Sequence, residues 1–304
     1  MFVPVGFASA VIMVWSWLLR LAVTIPRIIV IESLEMLTIG AVAGVLGGLL
    51  GVGGGLVMIP AMVVFLGDRF GTDSIHLYKL AAITTSIVVS IPAAARHHQA
   101  GAIVFRMLLG IIPLALVGAV VGVVAASYLT GEYSRTLKQA FGVFLELVVV
   151  TNVFQAWWTS HGEASLVSAC PVPERRGLIG LVVGWPAGLI AGLLGIGGGA
   201  WAVPAQRMCL GIRLRNAIAN SSCMIVAVAT VTAISQSLAV GLTKDAGIPG
   251  LQAADGWWLA LWLAPGALIG GWCGAGLTHR LPTRWLRLAF HALLAVTGVR
   301  LICG

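Results

Sequence analysis

Charge is scarce in this chain: Asp and Glu together number 10 and Lys and Arg 18 among 304 residues. A charged share of 9% against about 25% in soluble domains, beside a hydrophobic share of 59%, excludes a water-soluble fold. Cysteine is sparse too. Cys170, Cys209, Cys223, Cys273 and Cys303 are odd in number, widely spaced and mostly in or beside apolar stretches, which excludes a disulfide framework and a metal-ligand pattern. No metal and no cofactor is expected. The net charge of +8 would suggest a nucleic-acid partner in a soluble protein. Here Lys and Arg fall mainly between apolar spans and read as topology determinants, so no nucleic acid is expected and the lipid bilayer is the principal partner.

What the chain has in abundance is apolar length. Segments run over about residues 2–19, 36–66, 80–95, 104–127, 136–158, 178–206, 216–242, 257–278 and 285–302, and several reach the roughly 20 residues a bilayer-crossing helix needs. The expected fold is all-α, a polytopic membrane protein. Residues 2–19 have no charged leader and no convincing small-residue cleavage pattern, so they read as a retained helix rather than a removed signal.

Two segments are long, glycine-rich and nearly the same text. Ala43 to Pro60 reads AGVLGGLLGVGGGLVMIP, Ala187 to Pro204 reads AGLIAGLLGIGGGAWAVP, and ten of the 18 positions are identical. Farther on, AAITTSIV from Ala81 aligns with AIANSSCM from Ala217, and Pro113, Gly118 and Gly122 with Pro265, Gly270 and Gly274. The chain is therefore two homologous repeats. Its expected parts are an N-terminal helix and linker (1–35), repeat one (36–158), a Pro-containing joint (159–177) and repeat two (178–304). Arg207, Arg213 and Arg215, then Arg280, Arg284 and Arg287, put the first and third loops of repeat two on the cytoplasmic side. Arg175 and Arg176 prefer that side as well, which makes 178–206 a re-entrant or hairpin helix pair broken at its glycines. With one crossing between them, the repeats are expected to be inverted, an arrangement familiar in secondary transporters. Repeat one carries two basic residues in each loop, Arg69 with Lys79, Arg96 with Arg106 and Arg135 with Lys138, and gives no orientation of its own.

The glycine triplets carry the chemistry. Consecutive glycines cost a helix roughly 1 kcal/mol each relative to alanine, and broken backbone persists in a membrane only inside protein or beside a wet cavity. Downstream of each break a new helix starts, with Pro60 or Pro204 expected in or near its first turn. Its unpaired N–H groups and dipole offer about half a positive charge. Gly53, Gly54 and Gly55 with Gly197, Gly198 and Gly199 are therefore candidate ligands for a small anion. Gly40, Gly44 and Gly48, with Gly184, Gly188 and Gly192, have the four-residue spacing of close helix packing and read as structural. The hydroxyl clusters at Thr84–Ser86 and Asn220–Ser222 either line the site or bond to their own helices. Thr85, Ser86, Ser221 and Ser222 are the candidates. Glu146, the one carboxylate in the middle of an apolar span, is a candidate proton carrier or a neutral structural group. His97 and His98 read as interfacial beside Arg96, Gln99 and Gln236 as residues that could face a pathway, and the Trp157–Trp158 and Trp257–Trp258 pairs as interfacial anchors.

The doubled Gly-Gly-Gly and Pro pattern, the TS-type turn after it and the closing LTHRLPTRWLRLAF from Leu277 to Phe290 resemble the sulfite exporter TauE/SafE family. The resemblance covers nearly the whole chain from about residue 36. It implies a cell inner membrane protein that moves sulfite, sulfonates or related organosulfur anions. It also implies that Gly53–Gly55, Gly197–Gly199, Thr85, Ser86, Ser221 and Ser222 form the site. Trp201, directly after the second glycines, departs from the pattern. The expected function is a secondary transporter, not an enzyme, working by alternating access. An intramembrane enzyme or a passive anion channel is the alternative, although no span holds paired carboxylates or a nucleophile with a base. Exact substrate, direction, coupling ion and oligomeric state are not encoded legibly.

Overall fold

The computed structural model describes residues 34–70, 75–128, 142–151, 176–242 and 253–278, with isolated positions at 139, 292, 295, 296, 298 and 299. The helix expected over 2–19, most of the 159–177 joint and most of the closing segment lie outside the described residues.

Nine helices are named here in chain order: α1 Leu34–Leu50, α2 Gly55–Phe70, α3 Ile75–Gln99, α4 Phe105–Tyr128 and α5 Gly142–Thr151. There follow α6, which runs from Arg176–Ile179 through a π-helical turn at Gly180–Gly184 to Trp185–Leu194, then α7 Gly199–Leu210, α8 Leu214–Leu242 and α9 Ala253–Thr278. Among the described residues there is no strand, and 5 of these helices are long and apolar enough to cross a membrane. Leu109, Val117, Val120, Val121 and Val124 leave one face of α4 bare, as Leu261, Leu268 and Ile269 do on α9. Apolar faces of that extent are stable against acyl chains, not water. The protein is an all-α, multi-pass membrane protein.

Small residues decide which helices pair. A Cβ on Gly44 of α1 would stand 2.6 Å from the Ala267 carbonyl oxygen, and one on Gly48 would stand 2.5 Å from that of Gly271, both on α9. The contact is reciprocal, because Gly266, Gly270 and Gly274 sit against Leu37, Ala41 and Val45. On the other side Gly184, Gly188 and Gly192 of α6 lie directly on the Ile111, Ala115 and Ala119 carbonyls of α4, and Gly118 and Gly122 answer against Trp185 and Leu189. Without a hydrophobic drive between helices in lipid, this backbone-to-backbone approach supplies the association energy. Each glycine hairpin thereby leans on a helix of the other sequence repeat. The central pair α3 and α8 packs between them.

Three boundaries differ from expectation. Helix α3 begins at Ile75 rather than near 80, because Tyr78 and Lys79, polar enough to look like loop, are fully buried in its first turns. Pro60 and Pro204 stand in the second turn of α2 and α7, not the first. There each removes the N–H that would bond to the carbonyl four residues back. The π turn in α6 is the third departure. The Trp201 indole N–H of α7 donates to the Val182 carbonyl inside it at 3.1 Å, so Trp201 ties the two arms of its hairpin together.

Candidate functional site

Each hairpin turns through a short glycine loop that only glycine can follow without strain. Gly51, Gly53 and Gly54 have φ of 67°, 84° and 75°, and Gly195, Gly197 and Gly198 have 73°, 79° and 74°. L-residues other than glycine are disfavoured in this left-handed region. Backbone bonds close the loops: the Val52 N–H donates to the Gly47 carbonyl at 3.1 Å and the Gly195 N–H to Ala191 at 2.8 Å. New helices then start on the Gly54 carbonyl, which accepts from Val57 and Met58, and on the Gly198 carbonyl, which accepts from Trp201 and Ala202.

The two breaks touch. A Cβ on Gly55 would stand 3.1 Å from Ile196 Cα and 3.2 Å from the Gly195 carbonyl oxygen. In the reciprocal contact, one on Gly199 would strike the Gly51 carbonyl and stand 2.8 Å from Val52 Cα. The start of α2 thus faces the end of α6, and the start of α7 faces the end of α1. Residues 51–60 and 195–200 are all buried. Two helix N-termini, each worth about half a positive charge, are brought to one protected place. Two helix C-termini of opposite sign come with them, so the N–H groups act locally rather than through a summed dipole.

The hydroxyl residues divide into two kinds. Thr85 Oγ1 donates to the Ala81 carbonyl at 2.7 Å and Ser222 Oγ to Ile218 at 3.0 Å, each within its own helix. Ser86 Oγ donates to Ala82 at 2.8 Å and accepts the Gly55 N–H at 3.1 Å, satisfying one of the orphan donors of α2. Ser221 Oγ donates to the Gly51 carbonyl at 2.6 Å, a bond from α8 to the break of the other repeat. The start of α7 has no such side-chain cap at Gly198. Ser221→Ala is expected to lower stability by about 1–3 kcal/mol, because it strands a buried carbonyl. Thr85→Ala should cost less, since the Ala81 carbonyl keeps its helical partner. Thermal unfolding of the two variants side by side checks this, and equal losses would show that the bond across the repeats carries no special weight.

Ile225 of α8 was invisible to sequence reasoning, being one aliphatic residue among many. Its side chain reaches within 3.1 Å of the position a Cβ would take on Gly53, 3.2 Å on Gly197 and 2.8 Å on Gly199. One aliphatic side chain therefore seals both breaks. Gln206 was also missed, although an amide in an apolar run is a signal. Its partner Asn220, grouped by sequence with Ser221 and Ser222, instead bonds to α7 and the start of α4. Asn220 Nδ2 donates to Gln206 Oε1 at 3.0 Å, and Asn220 Oδ1 accepts the Val104 N–H at 2.8 Å, fixing α8 to the start of α4.

Glu146 on α5 lies against Gly298, where a Cβ would collide with its Oε1, and that oxygen is buried with no hydrogen-bond partner. His97 is fully buried rather than interfacial, because the end of α3 turns its inner face into the bundle; His98 is exposed and meets the Phe105 ring edge-on at 5.7 Å. Gln99 is exposed, while Gln236 is buried with an unpartnered Oε1, four residues beyond the equally unpartnered Thr232 Oγ1. The Trp257 indole N–H bonds to Ser237 Oγ at 3.1 Å, and Trp258 is exposed at the same end of α9.

The sequence that folds this way has counterparts among known proteins. The profile of the family described as Sulfite exporter TauE/SafE matches residues 36–301. The chain belongs to that family. It is a transporter family, not an enzyme family, which decides against the intramembrane-enzyme alternative. Among curated relatives, the probable membrane transporter protein MamO of Magnetospirillum gryphiswaldense is 28% identical over 298 residues, covering 90% of this chain and 45% of that protein. The probable membrane transporter protein YunE of Bacillus subtilis is 23% identical over 291 residues, covering 88% of this chain and 96% of that one. A probable membrane transporter of Methanocaldococcus jannaschii is 28% identical over 182 residues, 57% of this chain and 61% of that protein. The chain thus spans under half the length of MamO and nearly all of YunE. No solved structure gives a significant match.

Proposed function

We propose that this member of the TauE/SafE family is a secondary transporter of the cytoplasmic membrane that carries a small sulfur-containing anion, sulfite or a sulfonate, by alternating access between two inverted halves. The observation that carries the reading is the meeting of two helix N-termini inside protein. Backbone N–H groups stabilise an anion there without a counter-cation from solution. Gly53–Gly55 and Gly197–Gly199 supply the close approach, Ser86 and Ser221 hold the breaks in shape, and Thr85 and Ser222 flank them on α3 and α8. The reciprocal contact of each break with the other suits the reading, since a motion of one hairpin against the other would open this place to one side at a time. Glu146, half-buried in α5 with an unpartnered oxygen, is the candidate carrier of a coupling proton.

Purified protein in liposomes should show saturable uptake of radiolabelled sulfite that responds to an imposed pH gradient, and Glu146→Gln should abolish the pH response while leaving exchange intact. Flux that never saturates would make the protein a passive channel. Unchanged pH-driven accumulation in Glu146→Gln would return that carboxylate to a structural role.

A further inference from the structure

Lys79 does not behave as a loop residue. Counted from sequence as a topology determinant, it is instead 2% exposed in α3, the one buried Lys or Arg among the described residues. Its Nζ has no hydrogen-bond partner, and among the described residues no Asp or Glu is buried. Its backbone and Cβ stand against the second break. A Cβ on Gly195, in the second break, would lie 2.9 Å from Lys79 Cβ and 3.1 Å from its Cα and carbonyl oxygen.

The first break shows what packing alone requires. There Gly51 meets α8 at Ile218, whose Cα and Cγ2 lie 3.0 Å from the place a Cβ would take. The corresponding place on the two breaks is thus filled once by an aliphatic side chain and once by a lysine. The residue that aligns with Lys79 in repeat two, Arg215, is exposed. Gly195 closes the carbonyl end of α6, which favours a cation nearby. Yet the Lys79 Nζ bonds to none of those carbonyls, and an ammonium buried without a counter-ion opposes folding. An anion beside it removes that penalty.

We infer that Lys79 is the fixed cation of the anion site at the paired breaks. The inference rests on the reading of the breaks as an anion site. The two helix N-termini there, about half a positive unit each, are offset by the ends of α6 and α1 that face them, about half a negative unit each, which leaves the lysine as the net charge of the site.

Full-length protein in detergent, at constant ionic strength in chloride, should gain thermal stability from added sulfate, sulfite or methanesulfonate. Lys79→Met and Lys79→Gln should each weaken the sulfate response at least tenfold in apparent affinity. Unliganded Lys79→Met should unfold no earlier than the parent protein, because it removes an unpaired buried charge. Retention of the sulfate response by both variants, or an unliganded Lys79→Met that unfolds well below the parent while binding normally, overturns the role of Lys79 and leaves the anion site standing. A parent protein that responds to none of the three anions removes the anion site itself, and Lys79 with it.

Discussion

Gly198→Val is expected to destabilise the protein by roughly 2–6 kcal/mol, combining backbone strain with overpacking. Gly198 has φ of 74°, a conformation that a β-branched residue resists, and any Cβ there would strike the Ala187 carbonyl in the facing arm of its own hairpin. Sequence reasoning would assign such a variant a loss of anion binding alone. The structure assigns it a loss of the hairpin first, with binding lost as a consequence. Gly54→Val should be milder, since the Ala43 carbonyl oxygen would be 3.2 Å from the new Cβ and its φ of 75° leaves strain as the larger part. Gly177→Ala is the control: it has nothing within 4 Å and no positive φ, so it should unfold at the parent temperature or slightly above. The ranking can be read from thermal unfolding of detergent-solubilised protein. A Gly198→Val variant as stable as Gly177→Ala would mean that the second break does not adopt this geometry in the membrane protein.

Ile225→Ala should lower stability by about 2–5 kcal/mol, the range for truncating a buried isoleucine. Ile225 is fully buried and contacts three glycines of both breaks, so the cavity left behind opens where the two hairpins meet. Its polar content distinguishes this cavity from an ordinary core void. The glycine backbone of both breaks would line it, and a cavity with such partners fills with water or a small anion rather than staying dry. Added sulfate should therefore recover more stability in Ile225→Ala than in Ile59→Ala, a truncation at a fully buried position on α2. Equal recovery in the two variants would show that Ile225 seals nothing but core.

Much of this protein follows from its sequence alone. The shortage of charge and the apolar segment lengths require a helical membrane protein, since lipid leaves helices and closed barrels as the spanning structures. The doubled GGG text required two glycine breaks, and both fall at the expected residues because no other residue type follows that run of positive φ. The four-residue glycine spacing marked the packing faces of α1 and α6, as periodicity on a helix must. Pairing was not legible. Spacing tells which face of α1 is small but not that α9, from the other half of the chain, covers it. Nor could local text reveal that Ser221 bonds across to Gly51 while its neighbour Ser222 bonds to its own helix, for the two differ by a rotation of about 100°.

Lys79 marks the same limit from the other direction. A lysine near the edge of an apolar run reads as a loop charge by composition, because the sequence contains no record of what stands on the far side of the helix. Only the docking of α3 against the second break buries it, beside Gly195 and away from any carboxylate among the buried residues. Sequence determined the helices, the breaks and the solvent they live in, all of which depend on neighbours in the chain. The tertiary structure decided which breaks meet, what seals them and which cation is buried beside them, since those are contacts between residues distant in the chain, some more than a hundred residues apart.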